Sequence, residues 1–308
     1  MSVSGPPDTL WAAVVANDAN AVSLFLNDTV LNIEEEGGSE CMVEGCTHIH
    51  ESTPLEEAVF NFGRIDIGNV DNVRIIQMLL EAGANVNTAS SNGRGFSFLH
   101  DVMVKHSPFT YKICELFLRF RIDVNAISEL GKGNALHIAL EFIDDINERL
   151  KVVTLLTEYN INIEVKNNRG RTPLYLATKL QFFDEMKVLL ELDADANAIT
   201  DDEERTPLHI IVANNYFSPE HGLLFVFDRW RYISLLIDHG VDIYKKDYNG
   251  ETAVDLAHWR GEYDLELQIK DAYAKRRLAF AMMLHPRSSV QSWTNEFNAD
   301  LVRMILDQ

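Results

Sequence analysis

From Gly170 to Thr200 the chain alternates short apolar stripes with polar breaks. Leu174, Leu176 and Ala177 form one stripe, and Met186, Val188, Leu189 and Leu190 a second. The spacing predicts two helices. Thr172-Pro173 opens the first, because a threonine hydroxyl accepts from orphan amides and proline has no amide to waste. Asp193-Ala194-Asp195-Ala196-Asn197 then leads the chain away in extended form. Each stripe is too short to hold a helix alone. The pair is therefore predicted to fold only when stacked on copies of itself.

Copies recur along the chain. Thr53-Pro54-Leu55, Phe98-Leu99-His100, Ala135-Leu136-His137, Thr206-Pro207-Leu208-His209 and Thr252-Ala253-Val254 vary one signature. Paired-aliphatic helices follow at Met78-Leu79-Leu80, Leu116-Phe117-Leu118, Leu155-Leu156 and Leu235-Leu236-Ile237. Each ends in one type of loop, at 83–87, 122–126, 161–165, 193–198 and 240–244. The residue after the second helix must turn left-handed, which suits Gly83, Gly240 and Asn160 and is tolerable for Asp193.

These segments resemble the ankyrin repeat family, whose unit is about 33 residues with a T-P-L-H signature. The resemblance implies an all-α solenoid of stacked helix-turn-helix units with hairpin-like loops, about six to seven including degenerate caps. Residues 1–7 are expected to form a disordered lead and 8–283 the repeat domain. Within it, 8–31 reads as an N-terminal cap repeat, followed by units at 51–89, 93–128, 131–166, 170–200 and 204–246, with 250–283 as the C-terminal cap. Extra residues fall between first and second helices: FGRIDIGNVDN, a few around Lys105 to Pro108, Phe142 to Asp145, and the longest from Tyr216 to Trp230. Insertions at one site should line up on one edge of the array. The last repeat is predicted to end in a long amphipathic helix with Leu265, Leu267, Ile269, Tyr273, Leu278 and Phe280 in register.

Charge and composition narrow the partner. With 47 acidic against 27 basic residues the net charge is −20, which disfavours nucleic acid and anionic membranes and admits a basic protein partner. Cysteines 41, 46 and 114 are few and odd in number, which fits a reducing compartment, and no apolar run approaches a membrane span. The expectation is a cytoplasmic or nuclear monomer without an enzymatic activity.

The candidate chemistry is sparse. Cys41, Cys46, His48 and His50 offer four ligands within ten residues, a set that could close on zinc and make a metal-dependent module or enzyme. The alternative is a Gly-rich exposed loop, and otherwise no cofactor is expected. His100, His137 and His209 occupy the signature position, where the resemblance implies hydrogen bonds that tie repeats together. Their recurrence argues against catalysis, since an active site would single out one copy.

Binding through a concave face is what the resemblance implies. Counting from each signature places Phe60, Phe96, Lys105, Phe142, Lys179, Leu180, Asn214 and Tyr216 on that face, with loop tips Asn92, Glu129, Arg169, Asp202 and Tyr248; Trp230 joins them from the aromatic insertion. At the chain's end, residues 286–308 fit no repeat. Phe297, Leu301, Val302, Ile305 and Leu306 are spaced as the apolar face of a helix. The stretch is similar to the F-box-like tails of ankyrin proteins from large DNA viruses. That likeness implies docking on the Skp adaptor of cullin ubiquitin ligases, and the other reading is a helix that caps the array as a lid.

Overall fold

A computed structural model describes residues 9–27, 33–34, 37–40, 49–62, 69–88, 97–128, 131–213 and 223–284. The lead 1–7 and the tail 286–308 lie outside them. The chain divides into two compact units, residues 1–168 and 169–308.

The first unit carries helices α1 (Leu10–Val15), α2 (Ala19–Leu26), α3 (Pro54–Asn61), α4 (Asn69–Glu81), α5 (Phe98–Met103), α6 (Thr110–Arg119), α7 (Ala135–Phe142) and α8 (Ile146–Glu158). Each consecutive pair packs as a hairpin, and odd-numbered helices stack on odd ones: α1 on α3, α3 on α5, α5 on α7. Among the even ones, α2 stacks on α4 and α6 on α8. Leu55, Leu99 and Leu136 are fully buried along the odd row, each stabilising the stack by about 2 kcal/mol. One departure from all-helical structure is a short antiparallel hairpin, β1 (Gly37–Glu40) with β2 (Ile49–Ser52), in which Ser39 faces His50.

The second unit repeats the scheme with α9 (Pro173–Lys179), α10 (Phe183–Glu191), α11 (Pro207–Ala213), α12 (Leu223–Asp238), α13 (Ala253–Trp259) and α14 (Tyr263–Leu284). Here α9, α11 and α13 form the first row and α10, α12 and α14 the second. Thr53, Thr172 and Thr252 sit in extended backbone as N-caps, and their hydroxyls accept from amides three residues on. The turn after the second helix is left-handed at Gly83 (φ 99°) and Gly240 (φ 85°), and also at Arg121, Asn160 and Asp193.

Two expectations require correction. The extra residues of the fourth and sixth units are taken up in and beside helices: Phe142 ends α7, 143–145 are the link to α8, and of the sixth only 223–230 are described, where they open α12. α8 has 13 residues and α12 has 16, against nine in α10, and the α7–α8 link of 143–145 is no longer than the α9–α10 link of 180–182. Backbone amides so enclosed gain helical partners that an exposed loop would not give. The second correction concerns α14, where Ile269 and Leu278 are buried but Leu267 and Phe280 are exposed. A helix turns about 100° per residue, so Leu278 lies half a turn from Ile269 and no single face could bury the whole set.

Three repeats with long second helices, α4, α8 and α12, share a buried polar anchor. Near the start of the second helix, a side chain reaches back to carbonyls at the end of the first. Asn72 Nδ2 donates to Ala58 O at 3.0 Å, and Arg149 Nη1 to Ile143 O at 2.9 Å. In the second unit, Arg229 Nη2 donates to Val212 O at 2.7 Å and Nε to Ile211 O at 3.3 Å. Its Nη1 meets Glu262 Oε2 at 2.6 Å. Ala58 O already accepts from the Phe62 amide, so Asn72 adds a second donor there, while Ile143 is the C-cap of α7, where helical donors run out.

Candidate partner-binding surface

The signature histidines are spoken for. The backbone amide of Thr206 lies 3.2 Å from His209 Nδ1, and an amide can only donate. Nδ1 therefore accepts, leaving the proton on Nε2, which donates to the carbonyl of Glu251 in the next helix pair at 3.2 Å. The Thr206 hydroxyl donates to the same Nδ1 at 2.7 Å. His100 and His137 make the same closure with Ser97 and Asn134. Histidine here replaces the usual Glu or Gln of a capping box. Burial, and then the neighbouring His137, pulls the pKa of His100 down to about 4, and burial lowers that of His209. These rings are uncharged struts.

Successive loops are tied by asparagine. Asn87 accepts from the Asp123 amide at 2.7 Å and donates to Arg121 O at 3.1 Å. Asn125 accepts from the Asn162 amide, and in the second unit Asn197 accepts from Asp242 N and donates to Gly240 O. These ties hold the loop row in register.

In the first unit α3 and α7 end in aromatic rings topped by lysine. Phe60, next to last in α3, is 51% exposed, and Lys105 Nζ lies 4.9 Å from its ring centroid while donating to Phe60 O at 3.1 Å. Phe142 ends α7 half-buried beneath Lys132 Nζ at 4.4 Å. Between them His106 meets Asp144 at 3.1 Å. Such cation–ring contacts contribute about 0.5–1 kcal/mol each at exposed sites. Three residues singled out from sequence, Phe60, Lys105 and Phe142, thus occupy corresponding helix ends.

In the second unit Lys179 and Leu180 sit exposed at the end of α9. The pKa of Lys179 is held below its usual value by burial and then by Arg171 and Arg169, against the opposing pull of Asp202 and Glu203. The Thr200 hydroxyl, bonded to Asp202, lowers that carboxyl's pKa. Tyr248 is 75% exposed at a loop tip, and its amide donates to Glu203 O. Arg169 is exposed as well. Trp230 lies half-buried inside α12, so it belongs to a helix and not to a projecting loop.

Sequence reading passed over Trp259 and Tyr263. Trp259 is 73% exposed at the end of α13, and His258 stacks edge-on against both rings while pairing with Glu266 at 2.9 Å. Seven residues beyond its N-cap Thr252, Trp259 stands where Phe60 stands beyond Thr53, and that count would have found it.

Phe96, Asn92, Glu129, Asn214 and Tyr216 lie outside the described residues. So do Cys41, Cys46 and His48, and of His50 only the strand backbone is described. Among the described residues no group of three or more potential ligands converges on a metal position, and no helix is long and apolar enough to cross a membrane.

Residues 145–218 match the family model for ankyrin repeats. An ankyrin repeat protein of Fowlpox virus (strain NVSL) is 28% identical over 149 residues, 47% of this chain and 24% of that protein. The B-cell lymphoma 3 protein homolog of Mus musculus is 29% identical over 105 residues, 34% of this chain and 20% of that protein. The chain thus spans about a quarter or less of these relatives' lengths. Among solved structures, the ankyrin repeat domain of Bcl-3, a member of the IκB family, is similar with a TM-score of 0.56 and 20% identity, covering 83% of this chain and 95% of that one. The ankyrin repeat domain of human ASB11 gives 0.51 and 22%, covering 81% and 91%. The helix pairs described above are therefore an ankyrin-repeat fold, and residues 145–218 carry ankyrin repeats by sequence as well.

Proposed function

We propose that this protein is a non-enzymatic interaction module that holds a protein partner against the ends of its first-row helices and its loop tips. The observation that carries the reading is the recurrence of large, exposed or half-buried side chains at the ends of first-row helices in four repeats, seven or eight residues beyond the N-cap. They are Phe60 and Phe142 in the first unit, Leu180 and Trp259 in the second. Interfaces concentrate their energy in a few such aromatic anchors. The net charge of −20 favours a partner with a basic contact surface. Phe60→Ala and Trp259→Ala should each weaken a partner's binding about tenfold or more while leaving Tm unchanged. Leu192→Ala, an exposed residue after a second-row helix, is the control. Loss of affinity in the control but not in the two variants would refute the reading.

The adaptor reading extends to the tail as a second proposal, drawn from its apolar spacing alone. Phe297, Leu301, Val302, Ile305 and Leu306 would engage a Skp-type adaptor. Binding of purified adaptor to the intact protein, lost on Leu301→Asp, is the test, and no binding by the intact protein rejects it.

A further inference from the structure

Three first-row helices carry an aromatic ring at or next to their last residue. Phe60 and Trp259 stand seven residues beyond their N-caps, and Phe142 eight. Over two of these rings the chain sets a cation of its own. Lys105 Nζ lies 4.9 Å from the Phe60 centroid, and Lys132 Nζ 4.4 Å from that of Phe142. The third ring is an indole, whose face attracts a cation more strongly than a phenyl ring does. Yet among the described residues no lysine or arginine lies over Trp259. The cations nearest in sequence are engaged elsewhere. Arg260 directs Nε to Glu262 at 3.2 Å and Nη1 to Ala213 O at 3.3 Å, and Lys270 Nζ donates to Glu266 Oε1 at 2.6 Å.

The neighbours of the indole suit a flat cation. Trp259 is 73% and Tyr263 61% exposed, and His258 packs edge-on against both, at 6.0 and 5.2 Å between centroids. A carboxylate can only accept, so His258 Nδ1 donates to Glu266 Oε2 at 2.9 Å and holds the imidazole, and with it the two rings, in place. Asp255, one helical turn before Trp259, and Asp264, next to Tyr263, are exposed. Hydrogen bonds from the Thr252 amide and then its hydroxyl hold the Asp255 carboxyl below its usual pKa, so it is charged.

We infer that Trp259 and Tyr263 seat an arginine side chain of the protein partner over their exposed faces, as Lys105 and Lys132 sit over Phe60 and Phe142. Arginine fits better than lysine because its planar, weakly hydrated guanidinium stacks on aromatic faces and leaves N–H groups for a carboxylate such as Asp264. This seat rests on the reading of Trp259 as a partner anchor and names what that anchor recognises. In the first unit the chain's own lysines take the corresponding position, so the partner's arginine selects Trp259.

Nuclear magnetic resonance on the purified full chain, read at the Trp259 indole N–H and assigned through Trp259→Phe, tests the seat. Acetylated tetra-arginine amide should shift that signal to saturation. Acetylated tetra-citrulline amide, of nearly the same shape but uncharged, should leave it in place at the same concentration. Tyr263→Ala should raise the apparent Kd read there about threefold. The indole of Trp230, half-buried in α12, reports diffuse attraction to the acidic chain and should not move. Equal shifts at Trp259 with the citrulline peptide overturn the cation seat while leaving Trp259 an apolar partner anchor. Equal shifts at Trp230 and Trp259 with tetra-arginine overturn it by assigning the peptide to net charge. A Trp259 signal that neither peptide moves, or a Kd unchanged in Tyr263→Ala, overturns the paired seat as well.

Discussion

His100 shows how a single buried ring couples this fold to pH. Its folded pKa of about 4 lies below the ordinary 6.5, so protons favour the unfolded chain. Its contribution is whole above pH 6.5 and is lost as pH falls toward 4, at up to about 1.4 kcal/mol per pH unit. His100→Gln keeps an acceptor for the Ser97 amide and removes the titration. Between pH 6.5 and 5 the variant's unfolding free energy should fall by about 2 kcal/mol less than that of the native chain. Equal slopes in urea titrations across that range would show that the ring is not the proton's target. Cys114 offers a second reading at this scale. It is fully buried in α6, and burial pushes its thiol far above the usual range. Iodoacetamide should leave the Cys114 peptide unmodified in native protein and label it in denaturant; ready native labelling would mean that α6 opens.

At the scale of elements, side chains of second helices reach back to the carbonyls that close the first. Arg229 fills the carbonyls left by α11 and pairs with Glu262, its side chain 6% exposed and the carboxylate's 15%. Removing one partner of such a pair leaves a buried charge, at a cost of about 3–5 kcal/mol. Arg229→Met should therefore lower unfolding free energy by about 3 kcal/mol, and adding Glu262→Leu should restore most of it. A loss below about 1 kcal/mol for the single variant would mean that water reaches the pair freely. The helix starts were legible because Thr-Pro caps are local chemistry, read from two adjacent residues. The fate of Phe225 to Trp230 was not, because the same residues satisfy a loop or added helical turns until packing selects one. The register of α14 was illegible for a related reason: apolar residues lie on both its sides, and only the packing shows that Ile269 faces inward while Leu267 does not. The candidate surface divides likewise. Repeat counting placed Phe60 and Leu180, whereas the lysine over each first-unit ring depends on contacts between residues 10 to 45 positions apart.

For the whole molecule, the charge of −20 spread over a 308-residue chain makes self-repulsion a general term against folding. Exposed ion pairs that oppose it, such as Lys187–Glu191 and Lys275–Asp271, are worth well under about 1 kcal/mol apiece. Screening weakens both, but repulsion acts between all the carboxylates while each pair acts once. Repulsion is therefore the larger quantity removed by salt. Tm should rise as sodium chloride goes from about 0.02 to 0.3 M, where the Debye length shrinks from roughly 20 Å to under 8 Å. Binding of a basic partner should move the other way, its association rate falling over the same range as long-range attraction is screened. A Tm that drops with salt would place net stabilisation in the surface pairs, and the acidic exterior would then be a scaffold feature with no bearing on partner choice.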